Sequence, residues 1–156
     1  MSDRITLRQA TLDDLGMLFS WRNDPDTRRA SRNTGDVSRH EHETWLKATL
    51  KNPDRRLYIA EEDGHAVGTI RADRAGGFYE LSWTVAPEAR GRGVGERMVR
   101  ALAGRIEQPI EAWIKPWNTA SIRIAEGAGM TRERMEDGML LYRRGSVPAT
   151  PGRDGE

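Results

Sequence analysis

The sequence contains no cysteine among its 156 residues. This absence excludes disulfide bonds, a thiolate nucleophile and a cysteine-based zinc site. No apolar run approaches the roughly 20 residues that a transmembrane helix requires. The first residues are charged and lack the apolar stretch of a signal peptide. We therefore expect a cytoplasmic protein that does not have a membrane as its partner.

An excess of charge of one sign is also missing. Lys and Arg total 25 against 24 Asp and Glu, which gives a formal net charge of +1. A nucleic-acid-binding protein usually carries a clear basic excess, so this balance argues against nucleic acid as a partner. Hydrophobic residues make up 37% and charged residues 31% of the chain. These fractions are typical of a globular domain.

Alternating apolar and polar residues predict seven strands. Three hairpin signals support them, the Asp-Gly, Gly-Gly and Asp-Gly pairs at 63–64, 76–77 and 137–138. The strands are expected at residues 5–11, 57–61, 66–72, 78–85, 110–114, 132–136 and 139–144.

Helical spacing and caps predict about four helices. Capping boxes at 11–14 and 38–41 begin the first two. The first should end before Pro25, which disfavours helix in the residue before it. The second should bury Trp45, Leu46 and Leu50. A third helix follows a glycine-rich loop, and a fourth precedes the last hairpin.

This order of elements predicts a single α/β domain over residues 1–145, with a mixed sheet and helices on its faces. The remaining residues, 146–156, show no apolar periodicity. We expect them to form a flexible tail.

The glycine-rich loop RGRGVG, residues 90–95, lies between a predicted strand and a predicted helix. Glycines let the backbone turn sharply, and a helix N-terminus attracts anions, so the loop could cradle a pyrophosphate. Two familiar glycine motifs are absent. A dinucleotide fingerprint needs glycine where Glu96 stands, and a P-loop needs Gly-Lys-Ser/Thr. A tight turn with surface arginines and an RNA-binding tract remain alternatives.

Residues 85–102, VAPEARGRGVGERMVRAL, resemble the acetyl-CoA-binding motif of the GCN5-related N-acetyltransferases (GNAT). The core of that motif is Gln/Arg-x-x-Gly-x-Gly/Ala, and Arg90, Gly93 and Gly95 fill its three positions. Residues 118–130, NTASIRIAEGAGM, are similar to the Asn-x-x-Ser stretch of the ribosomal-protein acetyltransferase-like subgroup, and an amino-sugar-nucleotide branch has related features. The order of elements also matches the family over residues 4–144.

The resemblance implies a mostly antiparallel sheet and an acetyl-CoA-dependent N-acetyltransferase that uses no metal. Acetyl-CoA is the implied co-substrate. Arg92 could contact its 3′-phosphate or only solvent, and Asn118 could also cap a helix. The implied cofactor-binding residues are Thr84 and Val85 through their main chain, Arg90, Gly91, Arg92, Gly93, Val94, Gly95, Asn118 and Ser121.

An alkyl amine has a pKa near 10 and is protonated at neutral pH, so the reaction needs a base. The resemblance implies Glu80 as that base, acting directly or through water. Many family members protonate the thiolate with a tyrosine, but its position here is Ala125. The subgroup implies Ser121 instead, with Tyr142 as an outside candidate. Both Glu80 and Ser121 could also be ordinary polar residues of a strand and a helix.

The first two helices usually line the acceptor site in this family. Trp21, Arg22, Asn23, His42 and Trp45 are similar to residues of acetyltransferases that act on 4-amino sugars of nucleotide-sugar pathways. Guanidinium groups pair with phosphate and aromatic rings stack on a base or sugar. The two tryptophans could instead be core anchors.

Other functions remain open at this point. The acceptor could be a protein N-terminal α-amine or another small-molecule amine. Because Ala125 replaces the usual tyrosine, the chain could also be a non-catalytic acetyl-CoA sensor. The sequence also leaves a homodimer open.

Overall fold

Seven strands form one sheet in the computed structural model, which describes residues 4–145. The sheet order is β1-β2-β3-β4-β5-β7-β6, and all neighbours are antiparallel except β4 and β5. The predicted tail at 146–156 lies outside the described residues. The strands are β1 (Thr6–Gln9), β2 (Arg55–Glu62), β3 (His65–Ala75), β4 (Phe78–Val85), β5 (Ile110–Ile114), β6 (Thr131–Glu136) and β7 (Met139–Arg144).

Five helices accompany the sheet, and two short 3₁₀ turns lie at Leu12–Asp14 and Pro87–Ala89. Within the described part of the chain, none of the helices is both long and apolar enough to cross a membrane. The helices are α1 (Leu15–Arg22), α2 (Pro25–Ala30), α3 (Arg39–Lys51), α4 (Val94–Ala103) and α5 (Thr119–Gly127).

The sequence did not predict α2, because Pro25 was interpreted only as the end of α1. Proline is favoured at the first position of a helix, where its missing N–H costs no hydrogen bond. Here Pro25 opens α2. Asp24 caps it by accepting a hydrogen bond from the Thr27 N–H at 3.1 Å.

Both predicted capping boxes are confirmed. Ser38 and Glu41 cap α3 reciprocally. Thr11 and Asp14 cap the 3₁₀ turn that leads into α1, rather than α1 itself. Strands β4 and β5 begin and end at the predicted residues.

Side chains alternate between the two faces of β4, and the helices divide in the same way. Trp83 donates a hydrogen bond to Ser121 of α5, so the odd-numbered residues of β4 face α4 and α5. Arg71 of β3, paired in register with Ser82, packs against the Trp45 ring of α3. The even-numbered residues therefore face α1 to α3.

Helix α3 buries one stripe of side chains, formed by His42, Leu46 and Thr49. Leu46 is completely buried in the core. The prediction that Leu50 would be buried is wrong, because its side chain is 37% exposed. Leu50 follows Thr49 directly and is rotated about 100° away from the buried stripe.

The two leucines of α3 test this packing. Leu46→Ala should lower the free energy of unfolding by about 2–5 kcal/mol, because it leaves a cavity in a closed core. Leu50→Ala, its matched control on the same helix, should change that free energy by less than about 0.5 kcal/mol. Urea unfolding curves measure both. Equal losses in the two variants would contradict the described packing of α3.

Candidate active site

Strands β4 and β5 pair over two residues only and then separate. Tyr79 pairs with Ile110 and Glu80 with Glu111, and no further pair follows. Strand β4 nevertheless continues to Val85, paired with β3 throughout. The edge of β4 that faces β5 is therefore open beyond Glu80, and a gap forms between the two strands.

The N–H groups of Trp83 and Val85 point into this gap. The Ala86 N–H donates to the Val67 carbonyl of the β3 side at 2.9 Å. Because N–H directions alternate along a strand, Thr84 also turns its N–H toward β3. The resemblance placed the main chain of Thr84 and Val85 at the acetyl and pantetheine groups of the cofactor. Trp83, which it missed, has the required orientation, whereas the Thr84 N–H points the other way.

A cleft of about 1050 Å³ passes through the gap and is lined by residues from both faces of the sheet. Asn23 and Arg92 are not among its lining residues. Most of the expected site residues are, namely Trp21, Arg22, His42, Trp45, Glu80, Thr84, Val85, Arg90, Gly91, Gly93, Val94, Gly95, Asn118 and Ser121.

The glycine loop presents an uncapped helix N-terminus to the cleft. Side chains cap α2, α3 and α5, whereas α4 begins at Gly93 without a side-chain cap. The first N–H bonded within α4 is that of Arg97, to the Gly93 carbonyl. The N–H groups of the three residues before it are therefore free to bind an anion.

The conformation of this loop explains its glycines. Gly91 has φ +81° and Gly93 φ +74°, in the left-handed region that other residues rarely adopt. Gly95 is needed for a different reason. A Cβ there would lie 2.5 Å from Ile124 Cδ1, so glycine allows α4 to approach α5 closely. The open loop and the free N–H groups fit the pyrophosphate of coenzyme A.

The two loop arginines do not present free guanidinium groups. Arg90 binds Asp24 at 2.8 Å and the Thr27 hydroxyl at 3.1 Å, both at the start of α2. Arg92 binds Glu62 of β2 at 2.9 Å. The loop would therefore bind an anion through its backbone N–H groups. Sequence reasoning missed these partners because they lie far away along the chain.

Ser121 lies in the first turn of α5, and its hydroxyl is oriented by another element. The Trp83 Nε1–H donates to Ser121 Oγ at 3.2 Å, which leaves the hydroxyl proton available for donation. Asn118 accepts a hydrogen bond from the Ser121 N–H at 3.2 Å, so its predicted role as the helix cap is confirmed. Tyr142, the outside candidate, is buried in the core and does not line the cleft.

Glu80 occupies the centre of a row of three carboxylates, on the face covered by α1 to α3. Asp73 lies beside it on β3 and Glu111 on β5. Asp73 pairs with Arg71 at 3.0 Å, and Glu111 accepts a hydrogen bond from Arg143 at 2.9 Å. The Glu80 carboxylate has no hydrogen bond or ion pair within residues 4–145.

The surroundings of Glu80 favour its neutral form. Burial raises the pKa of Glu80 above the ordinary value for glutamate, and the Asp73 and Glu111 carboxylates add to this effect. The guanidinium of Arg32 acts in the opposite direction. The net result is a carboxylate with raised basicity beside the gap.

The aromatic residues expected at the acceptor site are partly core residues. Trp21 is buried and also borders the cleft. His42 is buried and stacks on Trp45, with ring centroids 5.3 Å apart. Burial lowers the pKa of His42, and the charge of Arg22 lowers it further, so this imidazole is neutral. Trp45 is half-buried above Arg71.

Asn23 has a structural role in place of the predicted contact with the acceptor. Its side-chain amide donates to the Val37 carbonyl at 2.8 Å and accepts from the Val37 N–H at 2.9 Å. This pair fixes the segment between α2 and α3. Arg32 and Trp113, which are not among the expected site residues, also line the cleft.

The sequence matches the acetyltransferase (GNAT) domain family over residues 4–131. No curated protein matches it significantly. Among solved structures, the aminoglycoside acetyltransferase AAC(6′)-Ib with paromomycin and acetyl-CoA has a TM-score of 0.79 and 24% identity. The alignment covers 90% of this chain and 92% of that chain.

Two further structures share the fold. Spermidine N-acetyltransferase from Vibrio cholerae, with CoA and spermine, has a TM-score of 0.78 and 16% identity, covering 91% of this chain and 94% of that chain. A ribosomal-protein-alanine N-acetyltransferase from Brucella melitensis has a TM-score of 0.73 and 25% identity. The alignment covers 89% of this chain and 98% of that chain. The family model matches most of the chain, the sheet has seven strands, and the cleft suits coenzyme A. The chain therefore belongs to the GNAT acetyltransferases and is an acetyl-CoA-dependent N-acetyltransferase.

Proposed function

We propose that the chain acetylates a primary amine by direct attack, with Glu80 as the general base and a nucleotide-linked amino sugar as the acceptor. The observation that carries the proposal is the position of Glu80. Its carboxylate lines the cleft where β4 and β5 separate. It has no ion pair within residues 4–145, whereas its neighbours Asp73 and Glu111 are both paired.

Glu80 accepts a proton from the bound ammonium group, either directly or through one water molecule. Its raised pKa increases the basicity of its ionised form, which favours this transfer. The amine so released is nucleophilic. Acetyl-CoA supplies the thioester carbonyl that the amine attacks. Glu80 therefore acts from the face of the sheet that α1 to α3 cover.

Backbone N–H groups in the gap and a side chain on the opposite face act on the carbonyl oxygen and the sulfur of the thioester. The N–H groups of Trp83 and Val85 stabilise negative charge as it develops on the oxygen. Ser121 donates its hydroxyl proton to the departing thiolate and regains a proton from solvent, while the nitrogen of the tetrahedral intermediate releases its second proton to solvent as the amide forms. The hydrogen bond from Trp83 holds Ser121 in position for this step. Asn118 and the N-terminus of α4 hold the cofactor.

The lining of the cleft supports an amino-sugar nucleotide as the acceptor. Trp117, which is 49% exposed, offers a surface on which a sugar or base can stack, and the cleft arginines Arg22 and Arg32 can pair with phosphates. A protein N-terminal α-amine is the second candidate. The similarity to a ribosomal-protein-alanine N-acetyltransferase favours it.

Glu80→Gln removes the base but keeps the shape of the side chain. We expect kcat to fall by about 10²- to 10⁴-fold, with the Kd for acetyl-CoA unchanged. Amine-dependent release of coenzyme A measures turnover, and calorimetry measures binding. Glu126→Gln, at an exposed position of α5, controls for the loss of one carboxylate. Unchanged turnover in Glu80→Gln would refute the assignment of Glu80 as the base.

The raised pKa of Glu80 also predicts a pH-dependent stability. Above the ordinary pKa of a glutamate, the unfolded chain ionises Glu80 while the folded protein keeps it protonated, so burial of this group costs stability progressively as pH rises from the ordinary pKa to the folded pKa. Glu80→Gln removes this cost. Its free energy of unfolding should exceed that of the wild type at about pH 7, and the gain should vanish at about pH 4, where both states are protonated.

Urea unfolding of both proteins at the two pH values measures this difference. Glu126→Gln is again the control for the loss of charge. A wild type that is more stable than Glu80→Gln at the higher pH would show that a favourable interaction of the Glu80 carboxylate outweighs its burial.

A further inference from the structure

The side of the cleft that α1 to α3 cover is called the acceptor side here. Two of its arginines have no carboxylate partner among the described residues. They are Arg22 of α1 and Arg32, which follows α2. The other cleft arginines nearby are neutralised. Arg29 pairs with Asp26, Arg71 with Asp73 and Arg90 with Asp24. The acceptor side therefore carries two guanidinium groups that form no ion pair within residues 4–145.

Arg22 lies at the buried end of this side. Its Nη2 donates to the carbonyl of Asn33 at 3.0 Å, while its Nη1 is buried and has no hydrogen-bond partner within residues 4–145. Nε2 of His42 is likewise buried and unpartnered there. An unpaired buried polar group is costly. Oxygen atoms of a ligand would satisfy both groups.

Arg32 lies at the exposed rim of the same side. Its guanidinium packs against the Trp113 ring, 5.8 Å from the ring centroid, and its charge acts on Glu80. The Asn33 carbonyl that Arg22 binds belongs to the next residue along the chain. Arg22 and Arg32 are thus linked through one stretch of backbone, and the charge of Arg32 acts on the base.

The segment that carries Arg32 is held in place by side chains of α1 and α2. Arg22 binds Asn33, Arg28 donates to the Thr34 carbonyl at 3.2 Å, and Asn23 makes two hydrogen bonds to Val37. This attachment positions Arg32 before a ligand arrives. Positioned binding groups lose less entropy on association.

We propose that Arg32 and Arg22 bind an anionic group of the acceptor, so that the enzyme selects amines that also carry a phosphate and rejects polycationic amines. This inference rests on the proposed function, because it places the amine at Glu80. A planar guanidinium forms paired hydrogen bonds with phosphate oxygens. A polyamine would instead bring a second positive charge toward Arg22 and Arg32, where like charges repel.

The first test uses inorganic pyrophosphate as the probe, with the protein saturated by coenzyme A so that the cofactor site is filled. Calorimetry should detect one saturable site in the wild type. Arg32→Gln should weaken its Kd by about 10- to 100-fold. Arg134→Gln is the matched control, because Arg134 packs against the same Trp113 ring at 5.9 Å but does not line the cleft. Absence of saturable binding, or equal binding by both variants, would overturn the proposal.

The second test compares acceptors in turnover. Glucosamine 6-phosphate should have a lower KM than glucosamine, β-alanine reports whether a carboxylate can replace the phosphate, and spermidine should be the poorest acceptor. Arg32→Gln should raise KM for the phosphorylated amine and leave KM for acetyl-CoA unchanged. Arg32→Glu should shift the preference toward spermidine.

The two proposals fail in different ways. If no amine releases coenzyme A from a protein that binds acetyl-CoA, the proposed catalytic function fails. If amines are acetylated but glucosamine or spermidine is preferred in both the wild type and Arg32→Gln, only the selection of anionic acceptors is refuted.

Discussion

The early separation of β4 from β5 is the feature on which the rest of the site depends. Two paired residues hold the strands together, and the unpaired edge of β4 beyond them leaves Trp83 and Val85 with N–H groups that point into a gap. Because side chains alternate along β4, the same strand sends Glu80 to one face and Trp83 to the other. The proposed base and the proposed thiolate donor thus line one cleft from opposite sides of the sheet.

Arg90 connects the two halves of this arrangement. It belongs to the glycine loop, yet its guanidinium binds Asp24 and Thr27 at the start of α2. Helix α2 leads directly into the segment that carries Arg32. The loop proposed to hold the cofactor and the segment proposed to select the acceptor are therefore connected by one side chain. The anion-binding capacity of the loop comes from the uncapped start of α4.

Local signals accounted for most of the fold. Strands β4 and β5 and both capping boxes depend on neighbouring residues, and they appear as the sequence predicts. The errors also have local causes. Pro25 was taken as an end although it starts α2, and Leu50 was placed on the buried stripe although it lies one residue beyond it.

The candidate site could be predicted from the sequence where a motif marks its residues. It could not be predicted where a side chain contacts a residue far away along the chain. The glycine loop, Glu80 and Ser121 share one cleft, as expected. Sequence spacing could not show that Arg90 binds Asp24, or that Arg32 lies against Trp113. These contacts arise only when the sheet brings separate segments together. The direction of the Thr84 N–H likewise depends on the pairing of β4 with β3.

The most direct test of the account is a calorimetric titration of the protein with acetyl-CoA, because every other assignment requires the cofactor to bind at the open loop. Gly93→Asp should abolish binding, since it introduces a negative charge at the anion site. Gly138→Asp is the matched control, because Gly138 has the same left-handed conformation and lies outside the cleft lining. One saturable site in the wild type and in Gly138→Asp, absent from a folded Gly93→Asp, is the predicted result. Equal binding by both variants, or none by a folded wild type, would contradict the account.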